Sequence, residues 1–199
     1  DGDLPEFKTR GGVHIQKDGV TVTAPPLMWV AALDLLFDGM KAGGFDFSEV
    51  AAVSGSGQQH GSVWLNASAR QALKRLSANK PLCDQFKGVF SVQDSPVWMD
   101  SSTARQCQDL ERALGGAQTV ADLTGSRAYE RFTGNQISKM RLIKRPDYDA
   151  TERIALVSSF VASVLIGDFA TIDTGDGSGM NLMNIRTKKR ARSALDATA

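Results

Sequence analysis

Apolar and polar positions alternate along this chain at two spacings, and the spacings define its elements. Val20-Thr21-Val22-Thr23 alternates at period two, which predicts a short strand or edge segment. Trp29, Leu33, Leu36, Phe37 and Met40 then recur at helical spacing. Pro25-Pro26 suits the start of that helix and Gly43-Gly44 its end. Val50-Ala51-Ala52-Val53 is a short apolar run that fits a buried strand, broken at Ser54-Gly55-Ser56-Gly57, and Val63-Trp64-Leu65 follows as a second strand. Residues 66–95 are more polar and read as an insertion over the core, with Ala69 to Leu76 weakly helical. Val97-Trp98-Met99 reads as a strand end. Asp100 or Ser101 suits the N-cap of a helix that buries Cys107, Leu110 and Leu114 and stops at Gly115-Gly116. A short helix over Thr119 to Leu123 ends at Gly125, and another over Asn135 to Arg145 ends at Pro146. Ile154 to Phe160 fits a buried strand or a helix equally well, because periodicity does not separate short apolar runs. Thr171 to Gly179 is turn-rich, and Met180 to Ile185 reads as a closing strand. Strands and helices alternate without an internal repeat, so the class is a mixed α/β domain.

Composition narrows the function. The chain has 199 residues, 42% of them apolar, enough for one sizeable core and one domain. A net charge of +1, with both signs interspersed, gives no general pull toward nucleic acid or a membrane surface. Cys83, Cys107, His14 and His60 lack the spacing of a zinc site, so free thiols in a reducing, cytoplasmic setting are the better reading. Ile154 to Ile166 is too short and too interrupted by serine to span a bilayer. The sequence opens on Asp1 with no basic and apolar leader, and reads as a fragment or a trimmed product.

Five segments carry candidate chemistry. Gly57-Gln58-Gln59-His60-Gly61 sets three neutral hydrogen-bonding side chains between glycines, directly after an apolar run. Glutamine and neutral histidine each both donate and accept, which suits a polyol, whereas an ordinary polar turn is the commoner outcome for such a loop. Trp98 offers a flat face to a sugar's C–H groups and Asp100 an acceptor for hydroxyls; a core tryptophan and a helix cap are the plainer alternative. In Ser126 to Gly134, Arg127 and Arg131 flank Tyr129-Glu130, giving either a paired surface network or one guanidinium aimed into a cleft. Asp173 to Gly179 matches no phosphate loop and no EF-hand, and reads as a turn. The basic run Arg186 to Arg192 reads as a solvated helix face. Two histidines assemble no Ser-His-Asp set, and no complete nucleotide-phosphate loop is present. Local pattern therefore stops at an α/β domain with a polyol pocket as one option.

Longer motifs go further. Asp3 to Phe7, Gly11 to His14, Ser54 to Ser62, Pro96 to Thr103, Thr124 to Gln136 and Asp176 to Leu182 resemble the xylulose kinase family of carbohydrate kinases, in that family's order and spacing. The resemblance is weakest over residues 66–95. It implies a ribonuclease-H-like, actin-like ATPase domain with a mixed sheet flanked by helices, incomplete here, with residues 1–199 forming most of the N-terminal sugar-binding domain. It implies ATP-dependent phosphorylation of D-xylulose with ATP and Mg2+. It implies that His60 and Arg131 contact the sugar, and that Gln59 and Trp98 line the same pocket. By the same resemblance the first phosphate loop precedes Asp1, and the catalytic aspartate and the ATP-binding domain lie beyond residue 199. An isolated segment without turnover is therefore expected. A relative acting on another ketose or polyol, or a non-catalytic sugar-binding protein, is the alternative.

Overall fold

A computed structural model describes residues 1–198. β1 (His14–Ile15), β2 (Val22–Ala24) and β4 (Ser95–Pro96) form one antiparallel sheet with β2 in the middle. β3 (Ser62–Leu65) and β5 (Arg153–Leu156) form a second, with Ser62 opposite Leu156 and Leu65 opposite Arg153. Ten helices surround these small sheets among the described residues, giving the α/β class that the alternation of elements predicts.

Proline and glycine set the helix limits. α1 (Pro26–Ala42) starts at the predicted prolines and ends at Gly43. It buries Met28, Val30 and Ala31, while Leu36, counted above on its apolar face, is exposed. α2 (Ala69–Lys74) and α3 (Leu82–Gln85) lie in the polar region 66–95. That region is no insertion over the core. Leu73, Phe86, Val89 and Phe90 belong to the main apolar cluster with Val63, Leu65 and Phe160. The rings of Phe86 and Phe90 each meet Phe160 edge-on at 5.7 Å. A few large rings suffice to anchor a segment whose other residues are polar.

α4 (Ala104–Leu114) ends at Gly115 with φ +89°, and α5 (Ala117–Thr124) at Gly125 with φ +90°. Neither Asp100 nor Ser101 caps α4; the N-cap is Thr103. Asp100 is buried and accepts from the Val22 amide at 2.9 Å, the Ser102 amide at 3.0 Å and Gln136 Nε2 at 2.7 Å. It joins the first sheet to α6 (Thr133–Ile143). α7 (Arg145–Asp149) restarts with Pro146 in its first turn, where the missing N–H costs nothing. The ambiguous run at 154–160 is both elements in succession, since β5 passes directly into α8 (Val157–Ile166). Asp173 caps α9 (Thr174–Ser178), accepting from the Gly175 and Asp176 amides. α10 (Arg192–Thr198) closes the described chain. The basic run 186–190 is an exposed turn ahead of α10, not a helix face.

Two predicted strands are absent. Residues 50–53 are exposed and pair with no strand among the described residues. An apolar run forms a strand only where a neighbour accepts its backbone hydrogen bonds. Met180 to Ile185 makes a single bridge, Met183 to Arg190, because its backbone is spent on α5 and α6 instead. The Ile185 amide donates to Leu123 O at 2.9 Å, and Met180 O accepts from the Gly134 amide at 3.0 Å.

Cys83 and Cys107 are free thiols. Burial is the main cause that pushes Cys107 up to about 12, with the charge of Glu130 adding to it. Among the described residues no helix is long and apolar enough to cross a membrane.

Candidate functional site

The loop 54–61 enters the site along the start of α8. A Cβ on Gly57 would stand 2.8 Å from the Ser158 amide nitrogen and from Val157 Cγ1, so only glycine lets the loop lie this close. Gln58 folds back over Gly61, whose Cβ would meet Gln58 Oε1 at 2.8 Å, and the same oxygen accepts from the Trp98 amide at 3.2 Å. Gln58 is thus a brace. Gln59 is exposed and lines the cavity.

His60 follows in the left-handed region, φ +70°. That conformation costs a non-glycine residue about 1–2 kcal/mol, so its neighbours must hold it. Thr133 Oγ1 donates to His60 O at 3.2 Å, the Phe132 ring stacks on the imidazole at 4.7 Å, and Nδ1 lies 3.1 Å from Gly179 O. Two segments distant in sequence, 132–133 and 179, therefore hold this residue.

Burial is the main cause that holds the His60 pKa below its ordinary value of 6.5; the Gly179 carbonyl opposes it, the charge of Arg131 adds to it and that of Asp176 opposes it. The sign follows. Below about 6.5 the unfolded chain protonates this histidine first, so it binds more protons than the folded chain and stability falls as pH drops through that window. Above it both states are neutral and the group contributes nothing. Urea midpoints followed from pH 7.5 to 5 should decline less for His60→Gln than for the wild type; identical slopes would refute this role of the buried ring.

Arg127 and Arg131 diverge. Arg127 pairs with Glu111 at 3.1 Å on the surface. Arg131 carries no ion pair among the described residues, and its guanidinium lies over the Tyr129 ring at 4.5 Å. This contact orients the fork and leaves its N–H groups for other partners.

Gln59, His60 and Arg131 line one cavity of about 520 Å³ with Ser126, Tyr129, Phe132 and Gly179. Its far wall is tied down by Asn181, fully buried with φ +56°, whose Nδ2 donates to Thr124 Oγ1 at 3.0 Å and Ser126 O at 3.2 Å. Trp98 stands apart: it does not line this cavity, is 49% exposed, and connects to it only through the Gln58 brace. A second cavity of about 570 Å³, lined by Ile154, Met180 and Arg190 among others, holds none of the four candidate residues. Tyr129, Phe132 and Gly179 escaped individual selection in the sequence. The glycine-rich 175–179 stretch was a visible signal for the last, but nothing local pointed it at His60.

Chemically the cavity offers a cationic fork, an imidazole and neutral amide or hydroxyl groups, the donor and acceptor mix that a polyhydroxy ligand needs. No three His, Cys, Asp or Glu side chains among the described residues are grouped to hold a metal ion. No metal-dependent step is assigned to these residues.

No family model matches the chain. Individual relatives do. Over its whole length it is 58% identical to xylulose kinase of Rattus norvegicus and 49% identical to xylulose kinase 2 of Arabidopsis thaliana. The chain resembles xylulose kinases from end to end. It spans 37% of the length of the rat protein and 36% of the Arabidopsis one. The crystal structure of xylulose kinase from Rhodospirillum rubrum superposes with a TM-score of 0.72 at 10% identity, covering 94% of this chain and 34% of that one. At that identity the likeness shows the fold, and the fold is the actin-like, ribonuclease-H-like one of sugar kinases, of which this chain forms part.

Proposed function

We propose that residues 1–199 form most of the sugar-binding domain of a carbohydrate kinase. The protein that contains them transfers the γ-phosphoryl group of ATP, with Mg2+, to D-xylulose and releases D-xylulose 5-phosphate. The observation that carries this reading is the convergence of Gln59, His60 and Arg131 on one cavity, in a chain 58% identical to a xylulose kinase. In this reading His60 and Arg131 hold hydroxyl and carbonyl oxygens of the ketose, so that its terminal hydroxyl faces the phosphate. Such positioning supplies much of the rate in phosphoryl transfer. Trp98 is left out of the sugar contacts, since its ring lies outside this cavity. The thiols Cys83 and Cys107 support a reducing, cytoplasmic setting.

The resemblance assigns the catalytic aspartate and the ATP domain to sequence beyond residue 199, so this chain is expected to bind the sugar without turning it over. Calorimetric titration with D-xylulose, together with an ADP-release assay on this chain and on the longer protein, tests the reading. Binding by both, with turnover by the longer protein alone, supports it. Turnover by neither, or equal affinity for D-xylulose and unrelated polyols, overturns it. Binding without turnover in the longer protein would favour a sugar-binding protein instead.

A further inference from the structure

Gly179 has φ −80° and ψ 16°, a backbone conformation open to any residue. Its lack of a side chain therefore answers to space and not to dihedral freedom. A Cβ there would stand 2.7 Å from both Cε1 and Nδ1 of His60, closer than real Cβ atoms approach. The Cε1–Nδ1 edge of the imidazole lies against the glycine, and the ring stacks on Phe132. Any larger residue there would force the imidazole to shift.

The same glycine also determines what the ring can say to a ligand. A carbonyl oxygen only accepts, so the Nδ1 atom 3.1 Å from Gly179 O must carry the proton. In the neutral imidazole Nε2 is then bare. It makes no hydrogen bond among the described residues, and His60 lines the cavity. We propose that Gly179 is the positioning residue of this site, fixing His60 in the Nδ1–H tautomer so that Nε2 accepts a hydrogen bond from a ligand hydroxyl. Arg131, which lines the same cavity, only donates. The pair offers complementary groups to a polyol: an acceptor for a hydroxyl hydrogen at His60 and donors for an oxygen lone pair at Arg131. A ligand whose hydroxyl at the His60 position is replaced by a methoxy group has no hydrogen to give and is rejected. The ligand class rests on the sugar-binding reading above; the tautomer does not.

The chain contains two histidines, His14 and His60, so long-range 1H–15N spectra of the labelled protein are readily assigned. His14 is a useful contrast, with acceptors at both nitrogens, Asp94 Oδ1 at 2.9 Å and Phe7 O at 2.8 Å. At pH 7.5 His60 should show a protonated Nδ1 and a bare Nε2. Gly179→Ala should lose that signature while far-UV circular dichroism is unchanged, and should weaken D-xylulose binding about tenfold or more. Gly177→Ala is the control, because its Cβ would make only ordinary contacts, 3.6 Å to Met183 Sδ and 3.7 Å to Ile172 Cγ2. A proton on Nε2 in the wild type overturns the proposal even if Gly179→Ala does not fold. So does a Gly179→Ala protein that keeps both signature and affinity. If the wild type shows the expected tautomer but takes up no D-xylulose, the tautomer assignment stands and the sugar reading fails.

Discussion

Trp64→Ala should lower the stability of this chain by about 3–5 kcal/mol, the usual cost of truncating a fully buried tryptophan. Trp64 has no exposed surface and packs with Val92, Met140, Ile137 and Tyr148. Its Nε1 donates to Ser62 Oγ at 2.9 Å, so truncation also strips the buried serine of its partner. Against a total stability of about 5–15 kcal/mol, this is from about a fifth to the whole of the margin. The urea midpoint should fall sharply at an unchanged slope. Trp64→Phe, which keeps most of the volume, should lose less. A midpoint within error of the wild type for Trp64→Ala would mean that β3 is not packed as described.

His60→Ala and Arg131→Ala should each weaken D-xylulose binding by about 1–3 kcal/mol, roughly 5- to 150-fold, provided the partner oxygens are desolvated in the bound state. Arg131→Lys should recover little, since a lysine keeps the charge and loses the planar fork that lies over Tyr129. Arg127→Ala is the internal comparison. Its guanidinium is engaged with Glu111 at the surface, so affinity should be unaltered. Calorimetry on the four variants decides the assignment. Equal affinities for His60→Ala, Arg131→Ala and wild type would remove both residues from the site.

Much of the fold could be read locally because local chemistry determines it. Pro25-Pro26 and Gly43-Gly44 bound α1, and the glycines after α4 and α5 adopt the left-handed conformation that ends a helix. The misreadings share one cause, which is that pairing partners are distant in sequence. Val50 to Val53 has strand composition and no neighbour to pair with, while Met180 to Ile185 has neighbours that are helices. Phe86 and Phe90 sit in polar surroundings, and only Phe160, seventy residues or more away in the chain, reveals them as core. The same division holds in the site. His60, Gln59 and Arg131 lie in motifs long enough to resemble a family, and one cavity collects them. Trp98 lies in such a motif too, yet its ring remains outside that lining. Gly179 carried no local signal of its role, because that role is a contact across 119 residues.

That separation has a consequence for synthesis. His60 leaves the ribosome 119 residues before the glycine that seats it. At 5–20 residues per second the interval is roughly 6–24 s. For the first 72 residues of that interval its stacking partner Phe132 is missing too, and throughout it the carbonyl that sets its tautomer is absent. A growing chain cannot assemble the complete pocket before Gly179 is translated, so any ligand of this pocket stabilises the finished domain and is no template for the emerging one.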